Sequence, residues 1–257
     1  MIRSGSSLGK NVIKFSKPIK LNLEYSRFNM FFDAQDNAQI IEEYRRIKRP
    51  LLDYAFSKGL RTGGCPNLLM VTSSVPGEGK TFTAINLALS IAMELDQTVL
   101  LVDADVVNPS LNRELNLGSY PGLNDYLERD TSSLSDYMLR TEIDNLKILP
   151  AGRKSFRSVE LLSSKRMASL AEELSSRYSD RIVIFDSPPI MVTNEAPTLA
   201  SLVGQVLVVV EAESTSKSVL KDALSQLEQD KPINLLLNKA KKKPGKYGYG
   251  YGYAGRN

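Results

Sequence analysis

A glycine-rich loop followed by a lysine and a threonine contains the residue types that bind phosphate groups. Residues 74–81 read Ser-Val-Pro-Gly-Glu-Gly-Lys-Thr and match the pattern G-x-x-x-x-G-K-[ST] at every position except the first glycine. Gly77 and Gly79 allow backbone N–H groups to surround phosphate oxygens at the start of a helix. Lys80 can reach the terminal phosphates of a nucleotide, and the Thr81 hydroxyl can bind Mg²⁺. The predicted nucleotide-binding residues of this loop are Pro76, Gly77, Glu78, Gly79, Lys80, Thr81 and Phe82.

Ser74 stands where the pattern has its first glycine. This exchange predicts that the backbone at the strand exit needs no positive φ at this position. The alternative interpretation is a glycine-rich turn with a chance Lys-Thr pair. An apolar run before the loop and a helical pattern from Thr81 onward supply the strand-loop-helix context of a phosphate site, and they favour it.

Three carboxylates follow two later apolar runs and could bind a metal ion or accept a proton. Asp103 and Asp105 follow the first of these runs, and Asp186 follows the second. We expect Thr81 to bind a metal ion and Asp186 to order its Mg²⁺ shell, while Asp103 and Asp105 can each hold a metal-bound water or accept a proton. Asp103 or Asp105 is then the nearest proton acceptor, although a D-x-D pair is also common in turns and helix caps. The predicted catalytic residues are Lys80, Asp103, Asp105 and Asp186.

The composition excludes several kinds of catalysis. None of the 257 residues is histidine, so histidine bases and histidine-ligated metals are excluded. The single cysteine, Cys65, excludes an internal disulfide. A net charge of +4 is too small for a whole-domain nucleic-acid footprint, so no nucleic-acid partner is expected. The apolar runs are too short to span a bilayer and the first ten residues contain no apolar signal core, so we expect a cytoplasmic protein.

Short apolar runs alternate with helical patterns after residue 66. Strands are predicted at residues 68–72, 99–102, 146–149, 182–185, 206–210 and 233–237, and helices at 79–95, 158–178 and 216–229. This alternation predicts an α/β fold with a mostly parallel sheet flanked by helices on both faces, in a single domain. Together with the phosphate loop, this pattern predicts a fold of the P-loop NTPase type. The loops at the carboxyl ends of the strands, after residues 72, 102, 185 and 237, should converge.

We place this domain at residues 37–240, between two terminal segments. Residues 1–36 are rich in Ser, Lys and Asn and are predicted to be an N-terminal extension. A helical pattern begins at Ala38, and Pro50 is expected to disturb it. Residues 241–257 are the predicted flexible tail, basic at first and then alternating glycine with Tyr247, Tyr249, Tyr251 and Tyr253. Since glycine has no side chain to pack, we interpret this run as a display of hydroxyl groups.

The combination of these motifs resembles the bacterial tyrosine kinases (BY-kinases), autokinases that regulate exopolysaccharide synthesis and export. The resemblance rests on Pro-Gly-Glu-Gly-Lys-Thr, Leu-Val-Asp-Ala-Asp, Phe-Asp-Ser-Pro-Pro and the terminal tyrosine cluster. Residues 122–127, 150–152 and 160–162 also resemble family segments, so the likeness covers residues 38–257. It is greatest to the standalone kinases of exopolysaccharide loci, which lack a fused membrane segment.

The resemblance implies an ATP-dependent autokinase that uses Mg²⁺ and phosphorylates the four tail tyrosines in trans within a ring-like homo-oligomer. It also implies that the metal ion lies against Thr81, Asp103 and Asp186. Asn238 resembles the adenine-reading asparagine of the superfamily, with a strand-end cap as the alternative. The implied activator is the cytoplasmic segment of a membrane polysaccharide co-polymerase, which recruits the kinase to the inner face of the cell membrane. A tyrosine phosphatase is a further implied partner. The segment that resembles the oligomerisation helix E-x-x-R-x-x-R fits in two registers, Glu42/Arg45/Lys48 or Glu43/Arg46/Arg49.

Two departures from the family pattern lie near these motifs. Val107 stands where the family commonly has arginine, and residues 152–160 lack the family's proline-rich sequence. Two other functions remain open: a partitioning-type (MinD/ParA-like) ATPase and a non-catalytic nucleotide-binding scaffold. Partitioning ATPases have a lysine early in the phosphate loop, where this chain has Val75, and their membrane-targeting members end in a basic amphipathic helix. The sequence therefore favours the kinase.

Overall fold

The computed structural model describes residues 18–21, 34–57, 64–129, 133–177 and 180–241. The four tail tyrosines lie outside the described residues, as does the basic run after Lys241. The prediction of a flexible tail therefore stays a prediction. Within the described ranges, no helix combines the length and apolar character needed to cross a membrane.

Helices and strands alternate along the described chain. In order they are α1 (Ala34–Phe56), β1 (Leu68–Ser73), α2 (Lys80–Ala92), β2 (Thr98–Asp103), α3 (Leu111–Glu114), α4 (Leu123–Glu128), a 3-10 turn (Leu134–Asp136), β3 (Leu139–Arg140), β4 (Leu146–Leu149), α5 (Ser158–Leu162), α6 (Lys165–Arg177), β5 (Arg181–Asp186), α7 (Glu195–Leu202), β6 (Gln205–Glu211), α8 (Lys217–Ser225) and β7 (Ile233–Asn238). All six predicted strands are confirmed, each to within one residue at either end.

The strands form one sheet in the order β3-β4-β2-β5-β1-β6-β7. Every pair is parallel except the short β3–β4 pair, which is antiparallel. The central strands β1 and β5 are buried along their whole length. Burial on both faces explains why their sequences are continuously apolar instead of alternating.

Helices cover both faces of the sheet, as predicted. One hydrophobic core joins the sheet to α1, α2 and α3, and it contains Tyr44, Leu51 and Leu111. The other core joins the opposite face to α4, α5, α6, α7 and α8, and it contains Leu123, Leu162 and Ala223. The sheet thus has apolar layers on both sides, and polar site residues can gather only at its ends.

Some helix boundaries differ from the sequence-based prediction. Pro50 does not end α1, because Leu51 and Ala55 beyond it are buried in the core and hold the helix together despite the proline. The helix predicted at residues 158–178 is two helices, α5 and α6. The break lies at Ser164, whose hydroxyl accepts a hydrogen bond from Met167 N at 3.2 Å and caps α6.

The described part of the N-terminal segment packs against the domain. Ile19 forms a parallel bridge with Thr141, next to β3. Leu21 is buried, and its N–H donates to the Glu142 carboxylate at 2.9 Å. Residues 18–21 therefore contact the edge of the sheet, and the predicted domain boundary at residue 37 stays a prediction.

Candidate functional site

The phosphate loop links β1 to α2 and turns through its two glycines. Gly77 has a φ of 90° and Gly79 a φ of 101°, and Gly79 is the residue immediately before α2. A side chain at Gly79 would also collide with the Asn238 amide. Ser74 is not among the described residues with positive φ, which confirms the prediction made for its position. Glycine is therefore required at 77 and 79, and serine is tolerated at 74.

The predicted nucleotide-binding side chains of this loop have different surroundings. Pro76 is exposed, and Phe82 packs against the core beneath α2. Glu78 is 1% exposed, and its carboxylate accepts hydrogen bonds from Val75 N at 2.9 Å and from the Thr215 hydroxyl. Because protein donors already occupy this carboxylate, any contact of Glu78 with a phosphate must come from its backbone.

The end of β7 supports the phosphate loop from the side. The Asn238 amide donates to Glu78 O at 2.8 Å. Lys239 Nζ donates to Gly77 O at 2.7 Å and pairs with the Glu211 carboxylate at 2.9 Å. Asn238 therefore holds the loop, in keeping with the strand-end alternative, and adenine reading stays a prediction. Lys239 was not among the predicted site residues, because the sequence shows it only as the start of a basic run.

Lys80 and the three aspartates converge at the carboxyl ends of β1, β2 and β5, as the strand topology predicted. Lys80 Nζ lies 2.9 Å from Asp105 Oδ2 and 3.8 Å from Asp186 Oδ1. Asp103 and Asp186 are register partners across the β2–β5 pair. Asp103 Oδ2 accepts a hydrogen bond from Leu111 N at 3.1 Å. One cation therefore faces a cluster of three buried carboxylates.

A pair of hydroxyl groups lies against this cluster. Thr81 Oγ1 and Ser110 Oγ are 2.8 Å apart. Sequence reasoning identified Thr81 but missed Ser110. Its only local signal was its place before a short helix, where serine is common as a cap.

The carboxylate cluster has an unusual charge balance. Burial, reinforced by the charge of Asp186, raises the pKa of Asp103 to about 8. Burial also raises the pKa of Asp186 to about 6, although the Lys80 ammonium opposes this. Burial lowers the pKa of Lys80, but the charges of Asp186 and Asp105 outweigh it and raise that pKa above its ordinary value. The site therefore favours additional positive charge.

The arrangement fits a Mg²⁺ ion that arrives with a nucleotide. Both oxygens of Asp186 and Oδ1 of Asp103 are buried without a hydrogen-bond partner among the described residues. Within those same ranges, no group of three or more carboxylate or cysteine side chains forms a ready-made metal cage. Mg²⁺ commonly takes one or two protein oxygens, several waters and substrate phosphates, so a complete cage is not required.

The predicted oligomerisation segment lies on α1, where its charged residues face in different directions. Glu42, Glu43, Arg45, Arg46 and Arg49 are exposed. Lys48 is buried at 7% exposure, where Nζ donates to Ser90 O at 2.7 Å and pairs with Glu94. Lys48 is therefore bound within its own chain, and the register Glu43/Arg46/Arg49 is the one whose three side chains are all exposed.

Two further segments that resemble the family meet after β4, the parallel strand next to β2. Asp125 Oδ2 accepts from the backbone N–H groups of Gly122 and Arg153, each at 3.0 Å, and Asp125 Oδ1 accepts from Arg153 Nε. Gly152 turns between them with a φ of 85°. These bonds fix the loop after β4. By contrast, Val107, in the place of the family arginine, is 49% exposed.

These features define a P-loop nucleotide-binding protein. A family model described as "AAA domain" matches residues 68–237. Tyrosine-protein kinase YwqD of Bacillus subtilis is 32% identical over 251 residues, which are 95% of this chain and 93% of the relative. The chain belongs to the bacterial tyrosine kinases.

Solved structures agree with this assignment. The VpsO kinase domain has a TM-score of 0.66 at 29% identity, covering 80% of this chain and 98% of the matched chain. Septum site-determining protein MinD of Pyrococcus horikoshii, complexed with Mg-ADP, has a TM-score of 0.52 at 22% identity, covering 66% of this chain and 69% of the other. The likeness to MinD shows the shared fold alone.

Proposed function

We propose that this kinase transfers the γ-phosphoryl group of Mg²⁺-bound ATP to its own tail tyrosines, Tyr247, Tyr249, Tyr251 and Tyr253. The observation that carries the proposal is the meeting of Lys80 with three buried carboxylates beside the phosphate loop. The proposed contacts with the nucleotide are the loop N–H groups and Lys80 for the phosphates, and Asn238 for adenine.

Thr81, Asp103 and Asp186 would hold the Mg²⁺ ion, directly or through water. When bound, the ion neutralises charge on the phosphates. Lys80 stabilises the transferring group and is held in place by Asp105. Glu78 and Asn238 keep the loop in its phosphate-ready conformation.

The chemical step forms a bond between the tyrosine Oη and Pγ and breaks the bond between Pγ and the bridging oxygen, whose electron pair leaves with ADP. A tyrosine hydroxyl has an unperturbed pKa of about 10, so an acceptor must take its proton. Asp103 or Asp105 is the proposed acceptor. A weak base suffices, because proton transfer can be late in a loose phosphoryl-transfer transition state.

Transfer in trans is the proposed route, within a ring-like oligomer. From Asn238 to Tyr249 a flexible chain averages roughly 18 Å and reaches about 36 Å when extended, so the tail could enter its own site or a neighbour's. The family resemblance favours the neighbour. The exposed residues Glu43, Arg46 and Arg49 support a contact surface on α1. Arg45 and Arg49 also line a groove that reaches the exposed side chains of Met93 and Leu95.

The family resemblance also supports a role in exopolysaccharide synthesis and export. The proposed activator is a cytoplasmic segment of a membrane polysaccharide co-polymerase, which recruits this cytoplasmic kinase to the inner face of the membrane. A tyrosine phosphatase would reset the tail. Several phosphates per tail would repel one another within a ring, so phosphorylation should loosen the oligomer.

Mixing two full-length variants, each unable to phosphorylate itself, tests both the kinase activity and whether transfer occurs between chains. Protein with Lys80→Ala keeps the tail but loses the site, and protein with all four tail tyrosines changed to Phe keeps the site but loses the acceptors. Each is incubated alone and then together with Mg-ATP, and phosphate is mapped by mass spectrometry. We expect phosphotyrosine on the Lys80→Ala chain only in the mixture.

The other outcomes separate the alternatives. Wild-type protein labelled on tyrosine with no label in the mixture would place the transfer within one chain. ATP hydrolysis without phosphotyrosine in wild type, even with an activator fragment added, would favour a partitioning-type ATPase. Mg-ATP binding without hydrolysis or labelling would favour a nucleotide-binding scaffold.

A further inference from the structure

Ser110 places a second hydroxyl group inside the carboxylate cluster. The residue is 6% exposed, and its Oγ lies 2.8 Å from Thr81 Oγ1. It directly precedes α3, where a serine usually bonds the free N–H groups of the helix, yet its side chain makes no capping bond. The Ser110 hydroxyl therefore forms a hydrogen bond with Thr81 and does not cap α3.

The backbone fixes the position of Ser110 independently of its side chain. The next residue, Leu111, is fully buried and its N–H donates to Asp103 Oδ2 at 3.1 Å. Ser110 O accepts from Glu114 N at 2.9 Å. A substitution that removes the hydroxyl should therefore leave the loop in place.

A threonine hydroxyl that binds a metal ion needs an acceptor for its proton, and Ser110 can be that acceptor. A hydroxyl has one proton and two lone pairs, so when a lone pair of Thr81 binds a cation its proton needs an acceptor. Ser110 Oγ is within hydrogen-bond distance of it. Asp186, whose two oxygens are buried without hydrogen-bond partners among the described residues, lies beside both hydroxyls and can accept in turn.

We propose that Ser110 is a positioning residue for the Mg²⁺ site. Its Oγ accepts the proton of Thr81 and donates its own proton to Asp186, so that Thr81 keeps a lone pair directed at the ion. The proposal deepens the proposed function and rests on it only in requiring a Mg²⁺–nucleotide complex. The Thr81–Ser110 contact is already present, so the proposal adds a bond from Ser110 to Asp186 and requires only that the ion replace the long 3.4 Å contact of Lys80 Nζ with Thr81 Oγ1.

The test compares nucleotide affinity with and without the metal. Binding of a fluorescent ADP analogue is measured in EDTA and across a Mg²⁺ titration for wild type, Ser110→Thr and Ser110→Val. Thr and Val have the same shape and differ in the hydroxyl. We expect Ser110→Thr to keep the Mg²⁺ enhancement of affinity and Ser110→Val to lose about five- to tenfold of it, the size of one hydrogen bond. Affinity in EDTA should be the same in all three.

Two further variants separate positioning from general damage. Ser187→Ala removes another buried hydroxyl next to Asp186, one that donates to Val71 O at 3.2 Å, and should leave the Mg²⁺ enhancement unchanged. In a Thr81→Ala background, Ser110→Val should have no further effect, because the two hydroxyls act as one unit.

Equal Mg²⁺ enhancement in Ser110→Thr and Ser110→Val would overturn the proposal, and so would an undiminished effect of Ser110→Val in the Thr81→Ala background. None of these measurements involves a tyrosine. A protein that binds Mg-ADP as described but never labels its tail would therefore contradict the proposed function and leave the role of Ser110 intact.

Discussion

The two sides of the phosphate-binding edge differ in how completely their polar groups are paired. On the β7 side, Glu78, Asn238 and Lys239 each bond to a partner around the loop. On the β2–β5 side, Asp103 Oδ1 and both oxygens of Asp186 have no hydrogen-bond partner among the described residues. The hydrogen bonds on the β7 side stabilise the loop conformation, whereas the free carboxylate oxygens on the β2–β5 side are available to a ligand.

The difference has an energetic basis. A buried acceptor without a partner costs about 1–3 kcal/mol. A fold that keeps three such atoms together gives up stability at that place, which is typical of a site completed by a ligand. Substitutions on the paired side should therefore lower stability, whereas neutralising the unpaired side should lower activity and raise stability.

The largest effect is expected from Asp186→Asn. Loss of the carboxylate should lower the rate of tyrosine phosphorylation by about a hundredfold or more, the size seen when one charge-stabilising group is removed. The free energy of unfolding of the nucleotide-free protein should rise by about 1–3 kcal/mol at mildly alkaline pH, because the cost of burying the Asp186 charge exceeds the attraction of Lys80 at 3.8 Å and disappears with the charge. Phosphate incorporation and urea unfolding measure the two quantities.

Asp125→Asn is the matched control for that variant. Asp125 is also a buried carboxylate, but it accepts three hydrogen bonds at its two oxygens. Here the same exchange should lower the free energy of unfolding by about 1–3 kcal/mol. A loss of stability in Asp186→Asn as large as in Asp125→Asn would contradict the contrast between satisfied and unsatisfied carboxylates.

The unpaired side should also control the pH dependence of stability. The pKa of Asp103 is raised to about 8 in the folded protein and that of Asp186 to about 6. The unfolded chain releases these protons near pH 4, so between about pH 4 and about pH 8 the folded state holds more protons and its stability falls as pH rises. The steepest decline expected is about 1.4 kcal/mol per pH unit for each proton.

Urea unfolding across this pH range, with and without Mg-ADP, checks the prediction. Bound Mg-ADP should flatten the decline, because the ion favours ionised carboxylates. Asp186→Asn should remove the part of the decline near pH 6. A metal-free protein whose stability rises steadily through this range would show that the cluster does not titrate as described.

On the paired side, Glu78→Ala should lower the free energy of unfolding by about 1–3 kcal/mol, because it leaves the Val75 N–H and the Thr215 hydroxyl without their acceptor. Affinity for ADP in EDTA should fall as well, since the loop loses its support. As a control, Glu228→Ala removes an exposed carboxylate that pairs with Lys231 at 3.5 Å and should change stability by less than about 0.5 kcal/mol. Equal stability of the two variants would mean that Glu78 does not hold the loop.

The two sides of the site also differ in how much of each can be predicted from the sequence. The strands, the glycine turn and the three aspartates follow from local patterns, because each depends on residues within a few positions of one another. The sequence predicts Glu78 as a nucleotide-binding residue, but its carboxylate accepts a hydrogen bond from Thr215, which is 137 residues away. Ser110 gains its role only from a contact with Thr81 across the loop. Bonds between distant segments leave no periodic signal.

Lys48 illustrates the same limit on α1. The sequence offers Lys48 as the third charge of a possible oligomerisation register, yet its side chain donates to Ser90 O in α2 and pairs with Glu94 just beyond that helix. The sequence alone left two registers of the E-x-x-R-x-x-R pattern equally possible. The two registers differ in burial, because Lys48 is buried whereas Arg46 and Arg49 are exposed, and the choice between them stays a prediction.

The smallest expected effect comes from Lys239→Met, which tests how much the outer support of the loop matters. Met keeps an unbranched apolar chain of similar length but loses the bonds to Gly77 O and the Glu211 carboxylate. Because the lysine is half exposed, the loss should be below about 1 kcal/mol in unfolding free energy. Lys241→Met, at a more exposed lysine two residues later, should show no change in urea unfolding. If Lys239→Met destabilised the protein as strongly as Glu78→Ala, the support of the phosphate loop would lie mainly at its surface and not in its buried carboxylate.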